Sequence, residues 1–542
     1  MVRPATQAKP LRGLAWILAP AAAVVAFFPS LWAGFLADDF VMLRTTSVLH
    51  LPWQAFVRTD IGGTQGHPYR PIWVVVMGAL NWISSDSAVA HHALNIVLYA
   101  ASAVLVIVIA GRFAARRVAV LAGVAFALYP RHGEAVAWNA GSTDVIAGVL
   151  ALGSLAALTA EGAPAWGLVV CVASGVAAAL SKETAFALPA LAVVLVAARW
   201  TIEDPSLRRR RVAGIVALTV ALAAVFVVRI VVVHGLGNDV TEPFGAHRFV
   251  VVVASYLIAT ASTSHLLVLR HPALLGVPLV VGALLVLGAF LTFRSSDGTR
   301  KRLLVVGALW FVVSLVPLYN NAVNLNTANG ERLLYLPSVG TALVFAAVAA
   351  PLLDMRLGRW AMGALAVVAL GLCLVESLDY VTAGTIRDRV VADALRLTPK
   401  RGTVVLLNVP DSYRSARLFG AGFAEAMARS GRPHLTVLVC APSVVETRTA
   451  QPVRFSGQPG GQVLAHATPD LPFDTPESGR GISTSGCVYG PAPGGRLARG
   501  LGTDVLLTPA PAPNPLYLWF DGVDLHVCEP ATCLIPAPSA AR

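Results

Sequence analysis

The sequence predicts a polytopic α-helical membrane protein that carries a soluble α/β domain at its C-terminal end. Of the 542 residues, 56% are hydrophobic and only 13% are charged, and the mean hydropathy is +0.69. Soluble domains are about 45–50% apolar and about 25% charged. Long apolar segments alternate with short loops, several of them rich in arginine. This combination excludes an ordinary soluble protein.

Apolar segments of helical length occur from the beginning of the chain to about residue 380. We place predicted spans at 14–32, 88–110, 117–130, 142–160, 164–181, 184–199, 212–233, 273–293, 303–319, 335–352 and 360–378. Several are shorter than the ~20 residues that a perpendicular helix needs. Two more stretches are ambiguous. Segment 72–83 is too short to span and is expected along the membrane interface, whereas 249–267 is long enough to cross.

Clusters of arginine and lysine predict which loops face the cytoplasm. The net charge of +12 is concentrated between apolar segments, at Arg112, Arg116 and Arg117, at 208–211 and at 300–302. Cytoplasmic loops carry such an excess, so the charge does not indicate nucleic-acid binding. An even number of crossings must separate 208–211 from 294–302, which leaves 249–267 re-entrant or interfacial. About eleven spans follow, with the N-terminus in the cytoplasm and the C-terminus outside the plasma (inner) membrane.

The first apolar segment has an alternative interpretation. It follows Arg3, Lys9 and Arg12, as the apolar core of a cleaved signal peptide would. The segment is long for such a core, and the predicted topology needs an odd number of spans. We therefore expect a retained first span.

The composition changes after about Tyr380, where proline and glycine become frequent and apolar runs shorten. Residues 404–410 and 434–440 are predicted strands, and 415–430 is a predicted helix that ends at Gly431. From Ser456 onward, short strand-like runs predict small antiparallel pieces. The expected domains are therefore a transmembrane module at 1–380 and an extracytoplasmic α/β domain at 381–542.

Cysteines also distinguish this second domain. Four of the six lie in it, namely Cys440, Cys487, Cys528 and Cys533. An even number in an extracytoplasmic region predicts two disulfides, and four free buried thiols are the alternative. The pairing stays open, although Cys528 with Cys533 would close a short loop. Cys171 and Cys373 lie within predicted spans and are interpreted as packing residues.

Asp38 and Asp39 stand side by side directly after the first apolar segment. Adjacent carboxylates near a bilayer repel each other and lose hydration. Their presence favours a general base or a cation site, and a solvated turn is the alternative. A divalent cation would cancel the repulsion. The sequence does not require one, so we assign no metal ligands and no cofactor with certainty.

Other polar residues fall on the same predicted membrane face. They are Tyr69, Arg70, His132, Glu134, Lys182, Glu331, Arg332 and Tyr335. Together with the aspartates they suit a site where an anionic lipid-linked group meets a nucleophile that needs deprotonation. Each has a purely structural alternative: His132 and Glu134 as helix caps, Lys182 as a snorkelling side chain, and Glu331 with Arg332 as an internal ion pair.

Six motifs resemble the membrane module of the transmembrane-and-TPR-containing protein O-mannosyltransferases and their bacterial relatives, which belong to the GT-C glycosyltransferase superfamily. The resemblance covers roughly residues 10–380, and its motifs are Asp38–Phe40, Tyr69–Pro71, His92–Asn95, Tyr129–Trp138, Ser181–Thr184 and Glu331–Gly340. The TPR array of the eukaryotic members is missing, and the cysteine-containing α/β domain stands in its place.

The resemblance implies a polyprenyl-phosphate-linked sugar donor and an inverting reaction at the extracytoplasmic face. It implies that Asp38 or Asp39 is the base, that Glu134 is a second acidic site residue, and that Arg332 and Lys182 bind the donor phosphate. Tyr69, Arg70, His132, Glu331 and Tyr335 match motif positions without a defined role. The implied sugar is mannose, and the acceptor is a hydroxyl of a protein or glycan.

Two other functions stay open at this stage. A transporter or flippase of lipid-linked or anionic substrates would also combine many spans with buried charge. It predicts charges near the bilayer midplane and inverted repeats, neither of which the sequence indicates. A non-catalytic scaffold that presents the C-terminal domain would leave the shared face of acids and bases unexplained.

Overall fold

The chain forms two units, one of apolar helices and one that contains the β-sheets. In this computed structural model the first unit comprises residues 1–31 and 45–378, and the second comprises 32–44 and 379–542. The structure describes residues 16–47, 51–57, 69–162, 164–234, 245–262, 276–323, 330–410, 412–419, 422–440, 454–458, 462–466, 473–475, 483–484, 487–491, 500–502, 504–521 and 523–528.

The helices follow the predicted apolar segments closely. Before the sheets begin, the α-helices are Leu18–Phe27, Asp38–Ser47, Pro71–Ser84, Ala88–Ala110, Arg116–Ala127, Gly133–Val136, Ser142–Leu158, Ala165–Ala179, Leu188–Ala197, Pro205–Val233, Ala246–Ala261, Gly276–Arg294, Gly298–Leu315, Pro337–Ala349 and Arg356–Leu397. Short 3-10 segments are Phe28–Trp32, Pro52–Phe56, Pro130–His132, Asn139–Gly141, Glu183–Ala187, Val316–Leu318, Glu331–Leu334 and Ala350–Asp354.

The protein is an integral membrane protein by the character of these helices. Among the described residues, 6 helical segments are long and apolar enough to cross a membrane: Ala88–Ala110, Asn139–Leu158, Pro205–Val233, Gly298–Leu318, Pro337–Asp354 and Arg356–Leu397. Further apolar helices of 10–17 residues accompany them. The predicted fold class is confirmed in its main parts, a helical apolar region and a C-terminal sheet region. The number of eleven spans stays a prediction.

Side chains at loop ends explain where several helices begin. Asp204 accepts the backbone N–H of Ser206 at 2.7 Å, and the next residue, Pro205, opens the helix Pro205–Val233. Asp297 accepts the N–H groups of Thr299 and Arg300 at 3.0 and 3.1 Å. Such caps satisfy backbone donors that have no partner within the helix.

The last apolar helix differs from its prediction. The predicted span ends at residue 378, but the helix continues to Leu397. Residues 379–397 alternate charged and apolar side chains and contain no proline, so nothing in their sequence breaks the helix. The change in composition at residue 380 marks where the helix becomes polar, not where it ends.

The second unit contains thirteen described strands. They are β1 (Arg401–Leu406), β2 (Ser412–Tyr413), β3 (Ala416–Arg417), β4 (His434–Val439), β5 (Arg454–Gln458), β6 (Gln462–His466), β7 (Phe473–Thr475), β8 (Ser483–Thr484), β9 (Cys487–Pro491), β10 (Gly500–Gly502), β11 (Asp504–Pro509), β12 (Leu516–Phe520) and β13 (Leu525–Cys528). The short helix Phe423–Arg429 lies between β3 and β4.

These strands form one mixed sheet and one antiparallel sheet. The mixed sheet has the order β13-β12-β1-β4, with β1 parallel to both β4 and β12. The antiparallel sheet has the order β5-β6-β11-β9-β8, and β7 with β10 and β2 with β3 form separate pairs. Both large sheets contribute to one apolar core, which contains Val405, Tyr517, Val463 and Leu507. The predicted strand–helix–strand start and the later antiparallel pieces are therefore present.

The predicted helix 415–430 is wrong in its first half. Residues 412–417 form the β2–β3 hairpin instead, with Arg414 at φ +55°. The helix starts only at Phe423, after Gly422 at φ +85°. Because both φ angles lie outside the helical region, they interrupt a pattern that had looked continuous.

A disulfide joins the two large sheets. Cys440, directly after β4, is bonded to Cys487 at the start of β9, with a Cα–Cα distance of 5.1 Å. Cys528 is also disulfide-bonded, and Cys533 lies outside the described residues. Cys171 and Cys373 are free and buried, as a packing role requires.

Candidate active site

Glu134 and Arg332 are in direct contact within the first unit. Glu134 lies on the single turn Gly133–Val136, and its carboxylate accepts the backbone N–H of Arg332 at 2.9 Å and pairs with the guanidinium. The guanidinium also lies 5.2 Å from the centroid of the Trp138 ring. Arg332 is therefore oriented on two sides while 26% of its side chain stays exposed.

Lys182 forms a second ion pair that is almost fully enclosed. Its ammonium group donates to Asp144, which lies in the first turn of the helix Ser142–Leu158, and the two side chains are only 5% and 3% exposed. Burial, which disfavours the charged form, lowers the pKa of Lys182 to about 8 although Asp144 acts in the opposite direction. The positive charges of Arg70 and Arg332 lower it further.

Two arginines share one carboxylate nearby. Glu183, the residue after Lys182, accepts from Arg70 at 2.9 Å and from Arg229 at 2.8 Å. Arg229 is buried near the end of the long helix Pro205–Val233 and also lies 3.4 Å from the carbonyl of Tyr69. The Tyr69 hydroxyl donates to the carbonyl of Phe56 at 3.0 Å.

Among the residues that the structure describes, these three groups of ion pairs contain one more positive than negative side chain. Three carboxylates face four cationic side chains, which are Arg70, Lys182, Arg229 and Arg332. We call these four residues and Glu134, Asp144 and Glu183 the charged cluster. Its two most exposed cations are Arg332 and Arg70, at 26% and 20%. The cluster can therefore take up a further anion.

Glu331 is part of a different pair. Its carboxylate accepts from Arg131, which also donates to Ser262, and both charged side chains are buried. The structural alternative of an ion pair between Glu331 and Arg332 is thus wrong, because the two neighbours pair with different partners. Arg131 and Glu331 cancel each other's charge and connect two loops.

His132 and Tyr335 lie in a buried polar chain. The His132 Nδ1 atom is 2.8 Å from the Tyr99 hydroxyl, and Nε2 is 2.8 Å from the Ser338 hydroxyl. Tyr335 donates to Ser102 at 2.8 Å. Burial lowers the pKa of His132 to about 3, so its imidazole is neutral at physiological pH. A neutral histidine with both nitrogens engaged orders the loop and brings no charge to an anion.

Asp38 and Asp39 belong to the second unit and have different surroundings. They begin the helix Asp38–Ser47. Asp39 is fully buried, and its carboxylate accepts the backbone N–H of Leu36 at 2.8 Å. Asp38 is partly exposed. Asp39 therefore closes the turn that precedes the helix, whereas Asp38 is less deeply buried.

A metal site finds limited support in the described part of the chain. No group of three or more histidine, cysteine, aspartate or glutamate side chains there is arranged to hold a metal ion. A cation at Asp38 and Asp39 would need additional oxygen ligands.

Sequence reasoning missed several members of the cluster. Glu183 lies within the motif Ser181–Thr184, whereas Asp144 and Arg229 lie within predicted apolar spans, and none of the three is a predicted site residue. A lone arginine near the end of an apolar segment is itself a signal, because intramembrane charges are expensive and usually functional. Asp144 had no such signal, since an acidic residue in a first helical turn is common.

The apolar helices define an integral membrane protein, and one stretch of its sequence is similar to curated protein O-mannosyl-transferases. Among curated proteins, mouse protein O-mannosyl-transferase TMTC3 is 28% identical over 147 residues, which is 26% of this chain and 16% of the relative. The human protein of the same name is 26% identical over the same length. The chain thus matches about one sixth of these relatives. No protein-family model matches it.

Two solved structures align with most of this chain at low TM-scores. An oligosaccharyltransferase of Archaeoglobus fulgidus, complexed with Zn and sulfate, has a TM-score of 0.42 at 11% identity and covers 79% of this chain and 62% of its own. ArnT of Cupriavidus metallidurans bound to undecaprenyl phosphate has a TM-score of 0.36 at 19% identity and covers 85% and 94%.

Removing Asp144 should destabilise the first unit. Asp144→Asn leaves the Lys182 ammonium buried without its carboxylate, which costs roughly 3–5 kcal/mol for a broken buried pair. Asp354→Asn is the matched control, because Asp354 and its partner Arg117 are 59% and 56% exposed and such pairs contribute about 0–1 kcal/mol. Thermal unfolding in detergent measures both. Equal midpoints for the two variants would contradict the buried pair.

Proposed function

We propose that the protein is a membrane glycosyltransferase that uses a polyprenyl-phosphate-linked sugar. The observation that carries the proposal is the surplus positive charge of the charged cluster, with Arg332 and Arg70 as its exposed cations. A lipid phosphate would supply the missing negative charge. The partial similarity to an O-mannosyltransferase supports the same class of reaction.

The donor phosphate would be bound by groups with distinct roles. Arg332 offers a planar fork of donors that suits phosphate oxygens, and Glu134 and Trp138 hold it in place. Arg70 supplies a second fork on the exposed side of the cluster. Lys182 is too enclosed to be the first contact and would act mainly through its field, which is strong in a region of low dielectric.

Asp38 is the residue that we assign as the base. Its partial exposure leaves its carboxylate accessible to an acceptor hydroxyl, whereas Asp39 is engaged with Leu36. In the proposed step the hydroxyl oxygen attacks the anomeric carbon with inversion, and its proton passes to Asp38. The bond from that carbon to the phosphate oxygen breaks, and the polyprenyl phosphate leaves as a di-anion.

Mannose is the sugar we propose, by similarity to the mannosyltransferases, and the acceptor is a hydroxyl of a protein or glycan. We further propose that the N-terminus faces the cytoplasm and that the reaction occurs outside the plasma membrane. The arginines at 208–211 support this orientation.

The position of the ion pairs favours surface catalysis over transport. Glu134 and Lys182 lie in short segments between helices, and Asp144 lies in a first turn. A carrier would instead keep such groups near the bilayer midplane. Donor movement across liposome membranes without any sugar transfer would support transport and overturn the enzyme.

Replacing Asp38 should abolish transfer and leave the fold intact. Asp38→Asn removes the proton acceptor and should lower kcat by about 10²–10⁴. Asp39→Asn should lose less, because an amide oxygen can still accept the Leu36 N–H. The measurement is sugar transfer from a panel of polyprenyl-phosphate sugars by purified protein. Asp524→Asn, at an exposed aspartate, is the control. Full activity of Asp38→Asn would exclude Asp38 as the base.

Donor binding should weaken as the pH rises through about 8. Lys182 is protonated below its pKa of about 8, so its charge is present at pH 7 and mostly lost at pH 9. The donor KM should then rise roughly tenfold, because the field of a nearby positive charge that attracts the phosphate is lost. Arginine stays protonated throughout, so Lys182→Arg should show no such rise. The same pH dependence in both proteins would argue against a phosphate role for Lys182.

The orientation can be tested with two single-cysteine reporters in the first unit. Arg209→Cys and Asn321→Cys both lie at exposed positions. A membrane-impermeant maleimide should label Cys at position 321 in intact cells and Cys at position 209 only after permeabilisation. Labelling of both from outside would refute the proposed topology.

A further inference from the structure

The segment Ala33–Phe40, which we call the aspartate loop, has a strained backbone directly before Asp38. Gly34 has φ +69° and Ala37 has φ +45°. The left-handed region is unfavourable for a residue with a Cβ atom and persists only where the surroundings enforce it. Residues far away in the sequence, all in the second unit, supply that enforcement.

The polar part of the long helix Arg356–Leu397 contacts the first half of the loop. Arg387 donates to the carbonyl of Phe35, and its guanidinium lies 5.9 Å from the centroid of the Phe40 ring. One helical turn earlier, a Cβ atom at Gly384 would lie only 2.1 Å from the carbonyl oxygen of Ala33. Only glycine allows the helix to approach the loop this closely.

The sheet-containing region contacts the loop at Ala37 itself. The Ala37 N–H donates to the carbonyl of Leu418 at 2.8 Å. A Cβ atom at Gly422 would lie 2.2 Å from the Ala37 carbonyl oxygen and 3.2 Å from the Phe40 Cβ atom. The Ala37 N–H is therefore bonded, and Gly422 closely approaches the Ala37 carbonyl oxygen. Further along, Arg44 pairs with Glu425 at 3.1 Å, but Arg44 is 62% exposed and this contact adds little.

We infer that Arg387, Gly384 and Gly422 are positioning residues for the proposed base. Through them, the C-terminal region fixes the conformation of the aspartate loop during the reaction. The inference rests on the proposed function, because it concerns how Asp38 is aimed. Pure packing would not require an alanine at positive φ between two fixed peptide groups. Proton transfer depends on the position of the Asp38 carboxylate, since a misplacement of about 1 Å can lower the rate about 10²-fold.

Two matched pairs of glycine variants test the inference in the full-length protein. Gly384→Ala is compared with Gly371→Ala, which lies on the same helix with nothing within 4 Å of its Cβ position. Gly422→Ala is compared with Gly431→Ala. Gly431 has a similar positive φ of +94°, but like Gly371 it has nothing within 4 Å of its Cβ position. Each pair therefore differs in contact with the aspartate loop and not in the type of substitution.

The first measurement is hydrogen–deuterium exchange of peptides that contain residues 35–40. Exchange should accelerate in Gly384→Ala and Gly422→Ala and stay at the wild-type rate in Gly371→Ala and Gly431→Ala. This measurement needs no substrate, so it also decides the matter if no sugar transfer is found. Unchanged exchange in the first two variants would overturn the inference, whatever the function is.

The second measurement is the kinetics of sugar transfer. Gly384→Ala, Gly422→Ala and Arg387→Ala should lower kcat roughly 10- to 100-fold, with the donor KM changed less than about twofold. Arg389→Ala, at an exposed arginine of the same helix, should behave as wild type. Faster exchange without loss of kcat would show that the contacts are structural only. Loss of activity in Asp38→Asn together with full activity in these variants would reject the inference and retain the proposed function.

Discussion

A charge that is buried among apolar helices needs an opposite charge nearby. This requirement determines how the side chains of the charged cluster are paired. Each buried cation of the charged cluster has a carboxylate partner, and the partners come from different helices. Lys182 connects the loop before Glu183–Ala187 to the helix that carries Asp144, and Arg332 connects its loop to the turn of Glu134. Because breaking a buried pair is far more costly than breaking an exposed one, these pairs determine how the loops are arranged.

The same pairs also set the net charge of the cluster. Complete pairing would leave a neutral network without affinity for a substrate. The sharing of Glu183 between Arg70 and Arg229 instead leaves one positive charge over. Three other site residues that the structure describes add no net charge, since Arg131 and Glu331 neutralise each other and His132 is neutral. The proposed binding of a donor phosphate thus rests on an imbalance of charge among a few described side chains.

The second unit combines residues from two distant parts of the chain. Residues 32–44 belong to it together with 379–542. A truncation near residue 380 would therefore remove Gly384, Arg387, Leu418 and Gly422, which contact the aspartate loop, while leaving Asp38 in the shortened protein. Elsewhere in the second unit, the disulfide from Cys440 to Cys487 joins the two large sheets to each other. Asp38 and Asp39 therefore belong to the same unit as the C-terminal sheets.

Apolar periodicity and composition made most of the helices predictable. The helix Ala88–Ala110 coincides with its predicted span, and most others agree within a few residues, because the hydrophobic effect acts on the local sequence. The strands at 401–406 and 434–439 were accessible for the same reason. The helix end at Leu397 and the hairpin at 412–417 were not. The first lacks a local stop signal, and the second depends on positive φ angles that no pattern reveals.

The sequence by itself determined the membrane character of the protein, the presence of a sheet-containing C-terminal region, and most of the charged residues that matter. Only the tertiary structure decided their partners: Glu331 with Arg131, Arg332 with Glu134, and Lys182 with Asp144. It also distinguished Asp38 from Asp39 and assigned both to the second unit. The physical reason is that hydrophobicity is a property of each residue along the chain, whereas an ion pair depends on a distance between residues that the fold alone sets.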